Sequence, residues 1–387
     1  MFKTIPLKYS LQNLLVRKVT TFFTIIGLAL VVFVFASVLM LDNGLKETVV
    51  STGEKDNIVI TRRGAISEIQ SSITQEQALI VSQVPGIANI PEPQVSNETV
   101  VLINLQKKNG NPSNVAIRGL SKLGISLRRN IRLTEGRIFK KGSNEAIIGN
   151  AIVKRFRNMG LAQEIQFGGR SWRIVGHFDS GRNGFESEIW VDSENLMQAF
   201  RRTTYSTVII RLVDQKNLVG VKNEIKGDIR LPLQAKKEKS FYADQSIALS
   251  KFIKILGLTL TIIFSIGAII GAAITMQSAV INRVAEIATL RALGFKRKDI
   301  LLAFLLEALL LSIFGGIFGL VLALGLTNLE FSTTNFQSFS ELAFTFSINS
   351  EIVFFSMLFS IFMGCLGGLI PATFAAKINI TKALRMT

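Results

Sequence analysis

Few side chains in this sequence have both the type and the spacing that catalysis or metal binding requires. Glu186 and Glu188 are two positions apart, so on a β-strand their carboxyl groups would share one face, as those of a general acid–base pair do. The single cysteine, Cys365, lies in an apolar run and the single histidine, His177, in a strand-like segment, which excludes an intrachain disulfide, a Cys/His metal cluster and a Cys–His nucleophile. No further acid, base or metal ligand accompanies the two glutamates, and charged residues in an exposed hairpin explain them more simply. We therefore predict no catalytic residue, no cofactor site and no metal site: the chain is not an enzyme.

The secondary structure that carries these residues can be read from the hydropathy along the chain. Of the 387 residues 48% are hydrophobic and 18% are charged, and the two kinds occupy different segments. Residues 20–41 carry no charge over 22 residues, enough for a helix to cross a hydrocarbon core about 30 Å thick. A signal peptide is the alternative, but its apolar part is ~7–15 residues long, and no small-x-small cleavage site follows the run. Three further apolar runs, at 253–276, 301–326 and 352–374, predict three more transmembrane helices.

Charge in the short segments predicts the orientation. Segment 1–19 has four basic residues and no acid, and segment 277–300 and the tail 375–387 are also rich in Lys and Arg. Loop 327–351 instead has three glutamates and no Lys or Arg. Because cytoplasmic segments carry the basic excess, both termini and 277–300 are predicted to be cytoplasmic, and 327–351 is predicted to be a short extracytoplasmic loop.

Residues 42–252 are predicted to form one large extracytoplasmic α+β domain, inserted between the first and second helices. Short alternating strands are separated by turn residues, with Gly168-Gly169 as a hairpin turn. The segment has 31 Lys and Arg against 21 Asp and Glu, but long translocated segments largely escape the charge rule. The basic residues are not interleaved with aromatic ones, so we predict no nucleic-acid binding.

Glycines mark the faces along which the membrane helices are predicted to pack. Gly267 and Gly271 are four residues apart in the second span, as are Gly315 and Gly319 in the third. Such spacing lets helix backbones approach closely in lipid. The pattern predicts a helix bundle and also suits a dimer. The spans show no ring of charge, so a pore is not predicted.

Segment 277–300 is the most informative part of the sequence. Val284, Ile287 and Leu290 recur at helical spacing, and Gly294 would end the helix beside a basic cluster. A short helix of this kind at the membrane interface suits docking of a partner protein, although a simple positive-inside signal is the alternative.

Glu307 is an ionisable residue well inside a span, and such residues tend to face a bundle interior with a partner. Arg283 and Arg291 are the candidate partners. Snorkelling of the carboxylate to the interface is the alternative.

Residues 283–294 read RVAEIATLRALG, which resembles the R-x-x-E-I-x-x-L-R-A-L-G motif of permease subunits in the MacB/LolC/FtsX group of ABC transporters, with Glu307 in the next helix. Residues 371–376 and 383–385 are similar to the closing P-A-x-x-A-A and A-L-R of that group, although Ile380 stands where the group has proline. Residues 17–28 resemble its entry to the first span, and the order of one span, a large domain and three spans is the same. The residues on which the resemblance places ATPase coupling are Arg283, Glu286, Ile287, Leu290, Arg291 and Gly294.

The resemblance implies a permease subunit of the bacterial inner membrane that is moved by a separate cytoplasmic ABC ATPase. No G-x-x-x-x-G-K-[ST] motif occurs in the 387 residues, so ATP and Mg²⁺ are expected on that partner. A second permease copy, a periplasmic adaptor and an outer-membrane channel are further implied partners. The alternative is an FtsX-like signalling scaffold that regulates a cell-wall hydrolase without transport.

Overall fold

The computed structural model describes residues 18–89, 92–335 and 337–378. The basic segment 1–17 and the tail motif at 383–385 therefore lie outside the described residues. The described chain divides into two compact units. We call them the helix bundle (18–43, 252–329 and 346–378) and the inserted domain (44–251 together with 330–345).

The long apolar helices confirm the four predicted spans. Among the described residues, the helices long and apolar enough to cross a membrane are α1 (Lys18–Ser51), α6 (Glu238–Ile281), α8 (Arg297–Leu324) and α9 (Ser350–Lys377). With 34 and 44 residues, α1 and α6 measure about 50 and 65 Å, so both exceed the thickness of a hydrocarbon core. The structure thus extends both helices beyond the predicted spans 20–41 and 253–276.

Packing inside the bundle is uneven. Leu28 and Val32 of α1 share a buried apolar cluster with Leu311 and Leu320 of α8 and Met363 of α9. In the most apolar stretch of each of these helices 39% of the residues are buried, against 11% in α6. Much of α6 is therefore left uncovered by the described chain.

The inserted domain is built on a mixed sheet that confirms the α+β prediction. The described elements of the domain between α1 and α6 are β1 (Asn57–Arg62), β2 (Ile73–Thr74), α2 (Gln75–Ser82), β3 (Val95–Gln106), β4 (Pro112–Leu120), β5 (Arg132–Gly136), β6 (Glu145–Gly149), α3 (Asn150–Arg155), β7 (Glu164–Phe167), β8 (Arg170–Asp179), β9 (Glu188–Asp192), α4 (Ser193–Ala199), β10 (Thr204–Tyr205), β11 (Thr207–Arg211), α5 (Leu218–Gly227) and β12 (Leu233–Lys237). Among the described residues ten of these strands form the sheet, in the order β12-β1-β11-β3-β4-β9-β6-β8-β5 with β7 beside β8. Neighbouring strands are antiparallel except β4–β9 and β6–β8.

Two apolar cores cover different parts of this sheet. One packs Ile60 and Ile210 against Val221 of α5, and the other contains Trp172 and Ile189. Gly168 and Gly169 have φ of +60° and +70° in the β7–β8 turn, a conformation that glycine adopts without a steric penalty.

A charge cluster, defined here as Glu68, Glu98, Arg118, Arg128 and Glu188, is buried within the domain. Arg118 donates to Glu188 at 2.7 and 2.8 Å, to Glu68 at 2.7 and 2.8 Å, and to Glu98 at 3.0 Å. Arg128 donates to Glu98 at 2.8 and 2.7 Å. Burial would raise the pKa of Glu98, but Arg128 and Arg118 outweigh it and hold that pKa below its ordinary value.

The two glutamates with catalytic spacing are not in an exposed hairpin, so that interpretation was wrong. Both are buried, because the segment from Asp179 to Glu188 packs into the domain instead of projecting from it. Glu188 accepts hydrogen bonds from Arg118 and from Nε1 of Trp190, whereas Glu186 accepts the backbone N–H groups of Ser180 and Arg182. Burial raises the pKa of Glu186. The two carboxyls are thus occupied in separate structural roles.

The segment of the inserted domain between α1 and α6 begins and ends at nearly the same point. A Cβ added to Gly53, just after α1, would lie 2.5 Å from the backbone nitrogen of Lys239 at the start of α6. The buried Glu238 carboxylate accepts the Glu54 N–H at 2.9 Å and the Asn57 side-chain amide at 3.0 Å. The contact holds the end of α1 against the first turn of α6.

The connection between α8 and α9 is a structured hairpin, where the sequence predicted a short loop. Strands β13 (Glu330–Thr334) and β14 (Glu341–Thr345) pair antiparallel and belong to the inserted domain. We call this segment, residues 330–345, the hairpin.

Candidate coupling site

The segment between α6 and α8 folds as a short helix with defined ends. Helix α7 (Val284–Ala292) begins after Arg283, whose φ of −121° and ψ of 16° interrupt the helical path from α6. It ends at Ala292, and Gly294 two residues further has φ of +99° and donates its N–H to the carbonyl of Arg291. A left-handed glycine just past a helix is a common C-terminal stop. The sequence motif therefore sets both ends of this helix.

An ion pair connects the start of α7 with α8. The Arg283 guanidinium lies 3.2 Å from Glu307 Oε2 and also 3.2 Å from Glu286 Oε2. Arg283 and Glu307 are 7% and 5% exposed, and the guanidinium stacks 5.3 Å from the centre of the Phe304 ring. Breaking such a buried pair leaves an uncompensated charge, so α7 and α8 are held together at this point.

The apolar face of α7 points into the bundle. Ile287 is buried in a cluster with Val280 of α6, Phe304 of α8 and Ala375 of α9, and Ala288 is also buried. Leu290 is partly buried against the same cluster. These side chains hold α7 in place and leave a different face for contacts outside the bundle.

Arg291 fastens the other end of α7. Its guanidinium donates to the carbonyl oxygen of Ile378, just after α9, at 3.0 Å. Of the two arginines that the sequence offered to Glu307, the structure pairs Arg283 with it and gives Arg291 this carbonyl.

The exposed residues of this segment include Ile281, Thr289 and Leu293, which sequence reasoning did not single out. Leu293 is 65% exposed and Ile281 is 56% exposed, and Glu286 and Thr289 are also exposed. The basic residues 296–298 continue this surface. We call it the docking face: Ile281, Glu286, Thr289, Leu293 and residues 296–298. It offers apolar and charged groups side by side, as protein interfaces do.

The four predicted packing glycines divide into two pairs. A Cβ on Gly315 or Gly319 would lie 2.7 Å from Leu28 Cβ or 2.6 Å from the Ala29 carbonyl oxygen, so α8 approaches α1 closely there. Gly267 and Gly271 have no atom within 4 Å of that position in the described structure. They line an open groove between α1 and α6 of about 380 Å³.

Among the described residues, no group of three or more His, Cys, Asp and Glu side chains could hold a metal ion. Together the fold and this site define a class: a multi-span membrane protein with a large inserted domain and a helix-connecting segment locked to the next span.

Comparison with known protein families identifies the family to which this class of membrane protein belongs. Residues 21–227 match the MacB-like periplasmic core domain, and residues 258–380 match the FtsX-like permease C-terminal domain. The chain therefore belongs to the family of MacB- and FtsX-like ABC transporter permeases.

Individual relatives are distant. The macrolide export ATP-binding/permease protein MacB of Pectobacterium atrosepticum is 24% identical over 414 residues, which cover 97% of this chain and 60% of that protein. MacB of Agrobacterium fabrum is 31% identical over 198 residues, covering 46% and 29%. The solved periplasmic region of MacB from Actinobacillus actinomycetemcomitans aligns with 49% of this chain and 91% of that one, at 10% identity and a TM-score of 0.38. The chain thus spans 60% or less of the length of these two MacB proteins.

Proposed function

We propose that this chain is the permease subunit of a MacB-like ABC transporter and that a separate cytoplasmic ATPase docks on α7. Movement of α7 would pass to α8 and so to the inserted domain, for export or extraction of a substrate. The Arg283–Glu307 pair carries the proposal, because a buried ion pair between the start of α7 and α8 would transmit movement of one to the other. The names of the MacB relatives, which join ATP binding and permease in one protein, support the choice of an ATPase as the driving partner.

The docking face supplies the contact surface in this proposal. Leu293 would insert into a pocket of the ATPase, and residues 296–298 would meet acidic groups around it. This surface lies on the cytoplasmic side, together with both termini, in a bacterial inner membrane. Maleimide labelling of Thr289→Cys in a Cys365→Ser background tests the side, since a probe that cannot cross the membrane should react only after the cells are opened.

The binding test uses the full chain purified in detergent from its own membrane. Leu293→Asp should remove the co-purified ATPase, which is measured as Mg²⁺-dependent ATP hydrolysis and as a protein with a Walker A sequence by mass spectrometry. Ile229→Asp is the matched control, because Ile229 is an exposed apolar residue of the inserted domain. Equal amounts of co-purified ATPase and equal ATP hydrolysis in the two variants would contradict the proposal.

A second permease copy fits the open groove of α1 and α6. Gly267 and Gly271 allow close approach of another helix, and in lipid such small-residue faces are main sites of association. The adaptor and the outer-membrane channel remain expectations from the resemblance.

The FtsX-like scaffold is the second candidate function, and the match of residues 258–380 to the FtsX-like permease C-terminal domain fits it and transport equally. It uses the same α7 and differs in what the inserted domain captures. Cross-linking in intact cells separates the two: recovery of a cell-wall hydrolase favours the scaffold, whereas an adaptor or a cargo molecule favours transport.

A further inference from the structure

The hairpin between α8 and α9 holds a buried acid that the coupling site does not use. Glu341, the first residue of β14, is 3% exposed. Its carboxylate lies 2.8 Å from Lys107 Nζ and also contacts the Arg155 guanidinium and the Ser113 hydroxyl. These three groups come from the end of β3, from α3 and from β4, so one side chain ties the hairpin to three separate elements of the inserted domain.

Other residues of β14 also hold the hairpin. The Ala343 N–H donates to Ser187 Oγ at 3.0 Å, and Leu342 and Phe344 are buried. On the opposite strand Glu330 pairs with Lys154 at 2.8 Å, but both side chains are substantially exposed. The hairpin thus has one buried ionic anchor at Glu341 and one exposed ion pair at Glu330.

The energies of these two contacts differ. Removing one member of a buried ion pair leaves the other charges without compensation, whereas an exposed pair contributes little. Lys107 and Arg155 would be left without the Glu341 carboxylate if the hairpin lifted away. Undocking of the hairpin is therefore strongly disfavoured.

The hairpin is connected along the chain to two of the long apolar helices. Helix α8 ends at Leu324, just ahead of β13, and α9 begins at Ser350, just after β14. The hairpin is therefore covalently continuous with the two helices that follow α7, one of which carries Glu307. Displacement of these helices along their axes would pull on the hairpin directly.

We propose that Glu341 is a positioning residue for coupling: it pins the hairpin to the inserted domain, so that α8 and α9 drive this domain through a path separate from α1 and α6. This inference rests on the proposed function for its driving force, but the docking of the hairpin does not. The contacts of Glu341 stay formed throughout the cycle of ATP hydrolysis, so that the hairpin does not detach from the inserted domain.

The first experiment measures docking alone, on the full chain in lipid nanodiscs without any ATPase. Ser187→Cys and Ala343→Cys, placed in a Cys365→Ser background, report docking through the rate of disulfide formation under mild oxidation. Glu341→Gln should slow this rate by about tenfold or more, since it removes a buried charge. Glu330→Gln, the matched control on the other strand, should change it by less than about twofold. Equal rates for the two variants would overturn the anchor.

The second experiment adds the co-purified ATPase and measures nucleotide-driven movement by the distance between spin labels on the inserted domains of two copies. Glu341→Gln should lose the nucleotide-dependent change, and disulfide closure of the 187–343 pair in the same variant should restore it. Restoration shows that the loss comes from undocking and not from misfolding. An unchanged movement with the hairpin undocked would refute the pin. Absence of movement in the parent protein would instead refute the proposed function and leave the docking result intact.

Discussion

The helix bundle and the inserted domain are stabilised by opposite means. In the bundle, Gly315 and Gly319 let the backbones of α8 and α1 come into contact. In the inserted domain, the charge cluster around Arg118 is buried in the interior. Lipid provides no hydrophobic driving force between helices, so close packing of small residues holds the bundle. A water-exposed domain has that driving force, and it can bury charges provided that each one is paired.

The largest effect that tests this contrast is expected from Arg118→Leu. It leaves Glu68, Glu98 and Glu188 buried with much less positive charge, at a cost of about 4 kcal/mol in the free energy of unfolding of the inserted domain. The two tryptophans, Trp172 and Trp190, both lie in this domain, so their fluorescence during urea unfolding reports on it alone. Arg129→Leu removes only an exposed ion pair with Asp56 and should cost less than about 1 kcal/mol. Similar losses for the two variants would show that the cluster does not hold the domain.

The next largest effect is expected from Gly319→Leu in the bundle. The new side chain would clash with the Ala29 carbonyl and with Val32, and overpacking of this kind costs about 1–3 kcal/mol. Unfolding of the bundle by SDS, followed by circular dichroism in mixed micelles, measures it. Tryptophan fluorescence of the inserted domain should stay unchanged, and a change there would weaken the division into two regions.

Low pH should destabilise the inserted domain by protonating Glu98 of the charge cluster. The folded pKa of Glu98 lies below its unfolded value, so its ion pairs stabilise the fold above about pH 4.3 and this contribution is lost as the pH falls through the folded pKa. We expect the urea midpoint by tryptophan fluorescence to fall in acid and to fall less steeply in Glu98→Gln. Glu92→Gln, at an exposed position, should keep the parental slope. Parallel slopes for all three proteins would exclude Glu98 as the cause.

The smallest effect on the single chain is expected from Gly271→Leu. Its side chain would enter open space, so the stability of the bundle should change by less than about 0.5 kcal/mol. The same change should weaken self-association in detergent, measured by the concentration dependence of the dimer fraction. An unaltered dimer would show that the second copy docks elsewhere.

Local patterns made the spans and α7 predictable. Each span can be identified from the hydropathy of its own residues and the charge of the loops beside it. Gly294, inside the sequence motif, marks the end of α7. The order of one span, an α+β domain and three spans followed from the same signals.

The remainder depends on contacts between residues far apart in the chain. Glu68, Glu98, Arg118 and Glu188 are spread over 121 positions without any shared local pattern, so only the sheet order brings them together. Residues 330–345 were predicted to be loop because the two strands, which pair with each other, are short, and because the contacts of Glu341 are with residues far away in the sequence, such as Lys107. Gly267 and Gly315 look alike in sequence, and only the packing shows that one faces a groove and the other a helix.

The contact between Gly53 and Lys239 has an evolutionary consequence. Since residues 54–237 begin and end at neighbouring positions of α1 and α6, this segment can change in size or shape without altering the separation of these two helix ends, provided that its contacts with the hairpin are kept. Recombination could therefore exchange residues 54–237 between related chains that keep the partners of Glu341, while the helix ends stay the same.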